Sequence, residues 1–196
     1  IAEALKVNST VTKLDVSDNE IGGHGPWHNF TATPKGPAAL TEALKVNTTV
    51  QWVEVKSNCL RAEGMITIAE ALKVNSAVTK IDVSGNEIGG WYRYGDTGGD
   101  FTAQPKGPAA LAEALKVNTT VQWVGVSGNE MGPEGGKAIA DALQTNVVLQ
   151  SIEIGSKDSP AIIPIKQLRD NSVDVLDYSG KKLLSEGGIV LAAALT

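Results

Sequence analysis

The stretch Val11-Thr12-Lys13-Leu14-Asp15-Val16-Ser17-Asp18-Asn19 decides the fold, because its pattern returns three times along the chain. Val50-x-x-Val53-x-Val55-x-x-Asn58, Val78-x-x-Ile81-x-Val83-x-x-Asn86 and Val121-x-x-Val124-x-Val126-x-x-Asn129 keep its apolar positions and its closing asparagine. Leu149-x-x-Ile152-x-Ile154 and Val173-x-x-Leu176-x-Tyr178 keep the apolar positions alone, with Lys157 and Lys181 where the asparagine would stand. Alternation of this kind reads as a short strand. Its repeated return along the chain reads as a solenoid, in which no unit buries its apolar face without a neighbour.

Outward from each of the first four strands, the preceding segment is Ala-Leu-Lys-Val-Asn, ending at Asn8, Asn47, Asn75 and Asn118. Before it comes an apolar stretch such as Ala109-Ala110-Leu111-Ala112-Glu113-Ala114-Leu115, whose spacing suits a helix and whose small residues permit close packing on a sheet. Gly107-Pro108 and Gly135-Gly136 mark helix starts and the asparagine marks a stop, so one repeat is strand, loop, helix, loop. The pattern resembles a leucine-rich repeat. With this length and helix motif it is similar to the ribonuclease-inhibitor-like type, as found in Ran GTPase-activating proteins and in the sensor ends of NOD-like receptors. The resemblance implies an α/β horseshoe of about six repeats spanning 1–196 as one solenoid, with a parallel sheet on the concave face and helices on the convex one. It also implies that the asparagine after each strand bonds backbone groups of adjacent turns, which would otherwise be unpaired. Loss of that residue at Lys157 and Lys181 predicts a less regular C-terminal end that opens more readily than repeats two to four.

A formal net charge of −5, well mixed along the chain, gives no electrostatic case for nucleic acid. The single cysteine, Cys59, excludes a disulfide framework and points to a reducing, intracellular and cytoplasmic setting. No apolar run is long enough to cross a bilayer, so membrane insertion is not expected. The sequence opens on the back half of a repeat helix and stops at Leu195-Thr196, before the next strand, and so reads as a piece of a longer chain within a larger assembly. Sequons occur at Asn8, Asn29, Asn47 and Asn118. Three of them coincide with the asparagine that ends a repeat helix, where tolerance of left-handed geometry is useful, and the reading preferred is structural.

Functional information lies where the repeats differ. The helix leucines Leu5, Leu44, Leu72, Leu115, Leu143, Leu168 and Leu195 are separated by 39, 28, 43, 28, 25 and 27 residues, so repeats one and three are enlarged. The extra residues fall at 24–35 and 91–106, after the strand and before the helix, on one edge of the stack. Both loops end alike, Phe30-Thr31-Ala32-Thr33-Pro34-Lys35-Gly36-Pro37 against Phe101-Thr102-Ala103-Gln104-Pro105-Lys106-Gly107-Pro108, which points to duplication of a two-repeat unit. At ordinary strand spacing their roots lie about 10 Å apart, close enough to form one surface.

Six of the nine aromatic residues lie in these loops: Trp27, Phe30, Trp91, Tyr92, Tyr94 and Phe101. Phe30 and Phe101, inside the duplicated ending, read as a small core that holds each loop down. Trp27, Trp91, Tyr92 and Tyr94, with Arg93, are candidates for contact with a partner, since Trp, Tyr and Arg dominate binding hot spots. Trp52 and Trp123 occupy strand positions that point out of the concave face. Along that face one column reads Lys13, Trp52, Lys80, Trp123, Ser151, Val175, and its neighbour reads Asp15, Glu54, Asp82, Gly125, Glu153, Asp177. Adjacent carboxylates repel by about 1 kcal/mol per pair in water. Asp15, Glu54, Asp82 and Glu153 therefore either welcome a basic partner or belong to a charge-balanced, solvated face.

No chemistry emerges beside this. His24 and His28 are separated by Pro26 and lack companions for a metal set, and Asp96-Thr97-Gly98-Gly99-Asp100 reads as a turn and not as a calcium loop. No nucleophile elbow or phosphate-binding loop is present, and Cys59 reads as a tolerated small residue. The expected function is therefore a non-catalytic protein-protein interaction module or scaffold without cofactor or metal. It would bind a protein or peptide, including one with a basic patch, through the concave sheet and the two aromatic loops. The alternatives are regulation of an enzyme, as a GTPase activator or inhibitor, which rests on fold analogy, and a small-molecule or carbohydrate ligand between the loops.

Overall fold

A computed structural model of the chain describes residues 1–25, 30–95 and 98–196, and the side chains of these except within 92–100. Five strands pair in parallel at one-repeat intervals: β1 (Lys13–Asp15), β4 (Trp52–Glu54), β5 (Lys80–Asp82), β8 (Trp123–Gly125) and β9 (Ser151–Ile154). Two antiparallel hairpins stand apart from this sheet. One pairs β2 (Gly23–His24) with β3 (Thr31–Ala32), and the other pairs β6 (Gly90–Gly95) with β7 (Gly98–Ala103). They occupy the two enlarged loops of repeats one and three.

The helices are α1 (Ala2–Val7), α2 (Lys35–Val46), α3 (Arg61–Leu72), α4 (Lys106–Val117), α5 (Gly132–Leu143), α6 (Ile165–Arg169) and α7 (Leu184–Ala194). Consecutive helices α1 to α5 pack side by side, and α7 packs directly on α5. Between sheet and helices lies one continuous core of aliphatic side chains, with Val53, Ile68, Ile81, Leu111, Val124 and Ile152 fully enclosed. Strand residues at the middle position point into it, which leaves the residues on either side for the opposite face. Among the described residues no helix is long and apolar enough to cross a membrane.

Two asparagine ladders close the corners of each turn. After the strands, Asn86 accepts from the amides of Asn58 (2.8 Å) and Leu60 (3.3 Å) and donates to the carbonyls of Val55 (2.8 Å) and Val83 (2.9 Å). Asn58 and Asn129 repeat this one turn away on either side. After the helices runs a second ladder of Asn47, Asn75, Asn118 and Asn146, which sequence reading treats only as a helix stop. Asn47 donates to Leu5 O (2.7 Å) and Asn8 O (3.0 Å) of the preceding repeat and accepts from its own Val50 amide (2.8 Å). Asn47 (φ −75°, ψ 130°) and Asn118 (φ −74°, ψ 131°) are extended and none of the four has a positive φ, so the expected left-handed stop is not what selects asparagine. The sequon threonines serve the same corner, Thr49 and Thr120 donating to Val11 O and Val78 O.

The C-terminal end departs from expectation. Residues 173–178 form no strand; the sixth strand is instead β10 (Ala161–Ile163), which pairs antiparallel with β9. Leu168 lies on the short α6 and not on a repeat helix stacked between α5 and α7. Where the chain turns back, Lys157 stands in place of the ladder asparagine, and Pro160 and Pro164 bracket the returning strand. Arg169 then takes over the corner, donating through Nη2 to Leu143 O (2.7 Å) and Asn146 O (2.6 Å), the carbonyl pair the next asparagine would have bonded. Tyr178 is partly buried against the core and donates to Ile162 O (3.3 Å).

Candidate partner-binding surface

Register across the sheet fixes the two concave columns as aligned partners. Lys13, Trp52, Lys80, Trp123 and Ser151 face one another in succession, as do Asp15, Glu54, Asp82, Gly125 and Glu153. Val175 and Asp177 lie outside the sheet, and Ile162, 54% exposed, stands opposite Glu153 instead. Trp52 is partly buried because its neighbours lie over its ring, Lys13 Nζ at 3.9 Å and Lys80 Nζ at 5.2 Å from the centroid. Such contacts contribute about 0.5–1 kcal/mol at exposed sites. Its indole Nε1–H is buried and has no acceptor among the described residues. Trp123, also partly buried, covers the backbone of Gly125; a Cβ there would meet the Trp123 ring at 2.7 Å and Asp82 Oδ1 at 2.6 Å. That contact is the physical reason the acidic column is interrupted.

The carboxylates are balanced from within. Glu54 and Asp82 are buried, with Lys13 Nζ at 3.3 Å from the first and Lys56 Nζ at 3.7 Å from the second. Glu153 accepts from the Ser127 hydroxyl at 3.0 Å. Asp15 is exposed, and the hydroxyl and amide of Ser17 hold its carboxyl down at about 2. A polar cleft of about 270 Å³ beside this column is lined by Ser57, Ser84, Ser127, Asp82 and Lys157. Lys157, which displaces the ladder asparagine, lies back across the turns at Gly128 and Gly85 and donates to Ser57 Oγ at 3.1 Å.

In the hairpins, the rings of Phe30 and Phe101 press on Gly23 and Gly90, where a Cβ could not fit, although Phe101 stays 44% exposed and so forms no enclosed core. The first loop and the second meet through a residue that belongs to neither. Arg61, at the start of α3, places its guanidinium 3.4 Å from the Phe30 ring centroid and 4.3 Å from that of Trp91, and its Nε bonds Glu87 Oε2 at 3.3 Å. Burial pushes the Glu87 carboxyl up, and Arg61 offsets part of that rise. Beside the stack opens a groove of about 260 Å³ between the loops, with Phe30, Pro34, Pro37, Leu60, Gly64 and Trp91 among its walls. Tyr92, Arg93 and Tyr94 lie on β6 opposite Phe101, Asp100 and Gly99, and their side chains fall outside the described part of the structure. Trp27 and His28 lie outside the described residues, as does Asp96.

Among the described residues no group of three or more histidine, cysteine, aspartate or glutamate side chains is placed to hold a metal. Cys59 is half-buried; burial first, and Glu87 next, push its thiol up, so it is a poor nucleophile. Sequence reading missed Arg61 and Arg169, and saw in Lys157 only the loss of the ladder asparagine and not its contact with Ser57. The signal for Arg61 was its place at the mouth of the intervening repeat, between two loops already expected to meet.

A family profile for the leucine-rich repeat matches residues 7–25 and 117–140. No curated protein matches the sequence significantly. Solved structures of similar fold include leiomodin-1 Actin-Binding Site 2, with a TM-score of 0.57 at 20% identity over 80% of this chain and 78% of that one. The Caenorhabditis elegans tropomodulin C-terminal domain has a TM-score of 0.58 at 9% identity over 98% and 90%. The leucine-rich-repeat-containing protein LegL7 from Legionella pneumophila has a TM-score of 0.48 at 17% identity over 91% and 61%. With strand and helix alternating around asparagine-closed corners, the chain has a leucine-rich-repeat fold, similar to the ribonuclease-inhibitor-like type.

Proposed function

We propose that this chain is a non-catalytic module that binds a protein or peptide on its concave sheet. The observation that carries the reading is the pair Trp52 and Trp123, partly exposed on a sheet face whose other side chains, Ile162 apart, are polar or charged. Aromatic residues in such a position act as anchors, with both area and a polar handle to give. Trp52 adds an indole donor without an acceptor among the described residues, which a partner carbonyl would satisfy. Asp15 and Glu153, the members of the acidic column that are not fully buried, would orient a basic partner. Trp27, Trp91, Tyr92, Arg93 and Tyr94 would extend the contact along the loop edge.

The test uses the purified chain as bait, beside a Trp52→Ala/Trp123→Ala double variant shown to be folded by circular dichroism. The leiomodin-1 domain of this fold is described as an actin-binding site, so purified actin is a defined probe to use beside a lysate. Retention of a protein by the native chain and its loss from the variant is the expected result. Equal retention by both would remove the concave face from the proposal.

A further inference from the structure

We propose that the groove between the two hairpins is a second contact point: an anchor pocket for one large apolar side chain of a partner segment that carries a lysine or arginine beside it. The inference rests on the reading of the chain as a protein-binding module but uses a different surface from Trp52 and Trp123. Size is the first argument. At about 260 Å³ the groove falls below the roughly 300–1,000 Å³ of pockets that enclose small-molecule ligands, and suits a side chain inserted from a larger partner.

Its lining gives the chemistry. Leu60, Pro37 and Gly64 are buried beneath it, and Phe30 and Trp91 wall it from the two loops, so the surface offered is apolar. Arg61 also lines it, with its side chain only 13% exposed. Phe30 and Trp91 flank the guanidinium, and Nε is engaged by Glu87, whereas Nη1 and Nη2 have no acceptor among the described residues. A guanidinium carries five N–H donors, so one held between two rings with its outer nitrogens still open to solvent is suited to main-chain carbonyls of an incoming segment. Charge then selects the neighbour of the anchor. Glu87 already balances Arg61, Glu63 stands exposed at the rim, and the chain carries −5 overall. With Arg61 paired to Glu87, a carboxylate beside the apolar side chain would face Glu63 at the rim, whereas a cation would pair with it.

Amide NMR titrations of the whole chain with three blocked alanine-based hexapeptides, carrying a central Leu-Lys, Leu-Glu or Ala-Lys pair, test this. The Leu-Lys peptide should saturate with shifts centred on 60–67, and bind at least tenfold tighter than the other two. Thr67→Trp, which fills the groove from a partly exposed helix position, should weaken it at least tenfold, and Glu63→Lys should transfer the preference to Leu-Glu. Trp52→Ala/Trp123→Ala should leave this binding unchanged, which separates failure here from failure of the concave-face proposal. Absence of saturable binding, equal binding of all three peptides, or indifference to Thr67→Trp would overturn the inference. Acetyl-leucine amide binding as tightly as the Leu-Lys peptide would overturn it in favour of a small ligand.

Discussion

Arg61 shows how much one side chain can organise in a repeat protein. It joins loops from repeats one and three while itself belonging to repeat two, and it neutralises Glu87 in a half-buried setting. Arg61→Ala removes both ring contacts and leaves the Glu87 carboxylate without its partner. The expected loss is about 2–3 kcal/mol by urea unfolding, under the roughly 3–5 kcal/mol of fully buried pairs because the site is partly exposed. Adding Glu87→Gln should restore about 1 kcal/mol of it, since the stranded charge is then gone. The pH dependence has a definite sign. Burial raises the folded-state Glu87 carboxyl above its unfolded value, so the folded chain binds the extra proton and stability falls as pH rises through that window. Without Arg61 the rise is larger, so the part of the deficit due to the stranded Glu87 carboxylate should vanish near pH 4 and be full at neutral pH, leaving only the lost ring contacts at low pH. Gly125 carries a second residue-scale prediction. Gly125→Asp would complete the acidic column seen in the sequence, yet its Cβ collides with Trp123 and Asp82. It should cost about 1–3 kcal/mol and shift tryptophan emission to the red as Trp123 is displaced, a shift absent when Trp123→Ala is also present.

At the scale of the element, what was legible depended on whether its cause was local. Val78, Ile81, Val83 and Asn86 announce strand, core and corner within nine residues, and each behaves as read, because one-repeat pairing is imposed by the period itself. The concave columns were legible for the same reason. What remained hidden was set by contacts that spacing does not encode: Arg169 substituting for an asparagine, β10 returning antiparallel, and Arg61 reaching two loops at once. The second asparagine ladder lay in plain view, but its helix-ending position offered a sufficient local explanation that the extended backbone then removed. Side-chain amides with both ends engaged predict a sharp asymmetry on substitution. Asn118 donates to Leu72 O (2.7 Å) and Asn75 O (3.2 Å) and accepts from the amides of Thr120 (2.9 Å) and Val121 (2.7 Å). Asn118→Asp keeps the acceptor and turns the donor into a carboxylate oxygen facing two carbonyls. Asn118→Asp should destabilise by about 2–3 kcal/mol in urea unfolding, whereas Asn8→Asp, whose side chain only accepts, should change stability by under about 0.5 kcal/mol.

Across the whole molecule the stack is closed differently along its length, and this decides where it opens. In repeats two to four both corners are held by asparagines whose bonds link one repeat to the next, over side chains that are fully enclosed. Past β9 the first ladder ends at Lys157, the sheet's last strand is antiparallel, and residues 171–183 are mostly exposed and without regular structure until α7 begins. Helix α7 nevertheless packs on α5 and buries Val190, so the end is covered without being tied in by the ladder. Stability in a linear array is approximately a sum of each unit and its interfaces, and a unit with fewer interface bonds opens by itself at lower free energy. Native-state hydrogen exchange should therefore show the amides of β10 and α7 exchanging through an opening at least about 2 kcal/mol below that of β4, β5 and β8. Truncation of Arg169 to Ala, which frees Leu143 O and Asn146 O, should extend the weakly protected region to α6 and β9 while leaving β4 and β5 unchanged. Uniform exchange from β4 through α7, moving together on Arg169→Ala, would instead mean that the returning strand and α7 are as firmly coupled to the stack as the regular repeats.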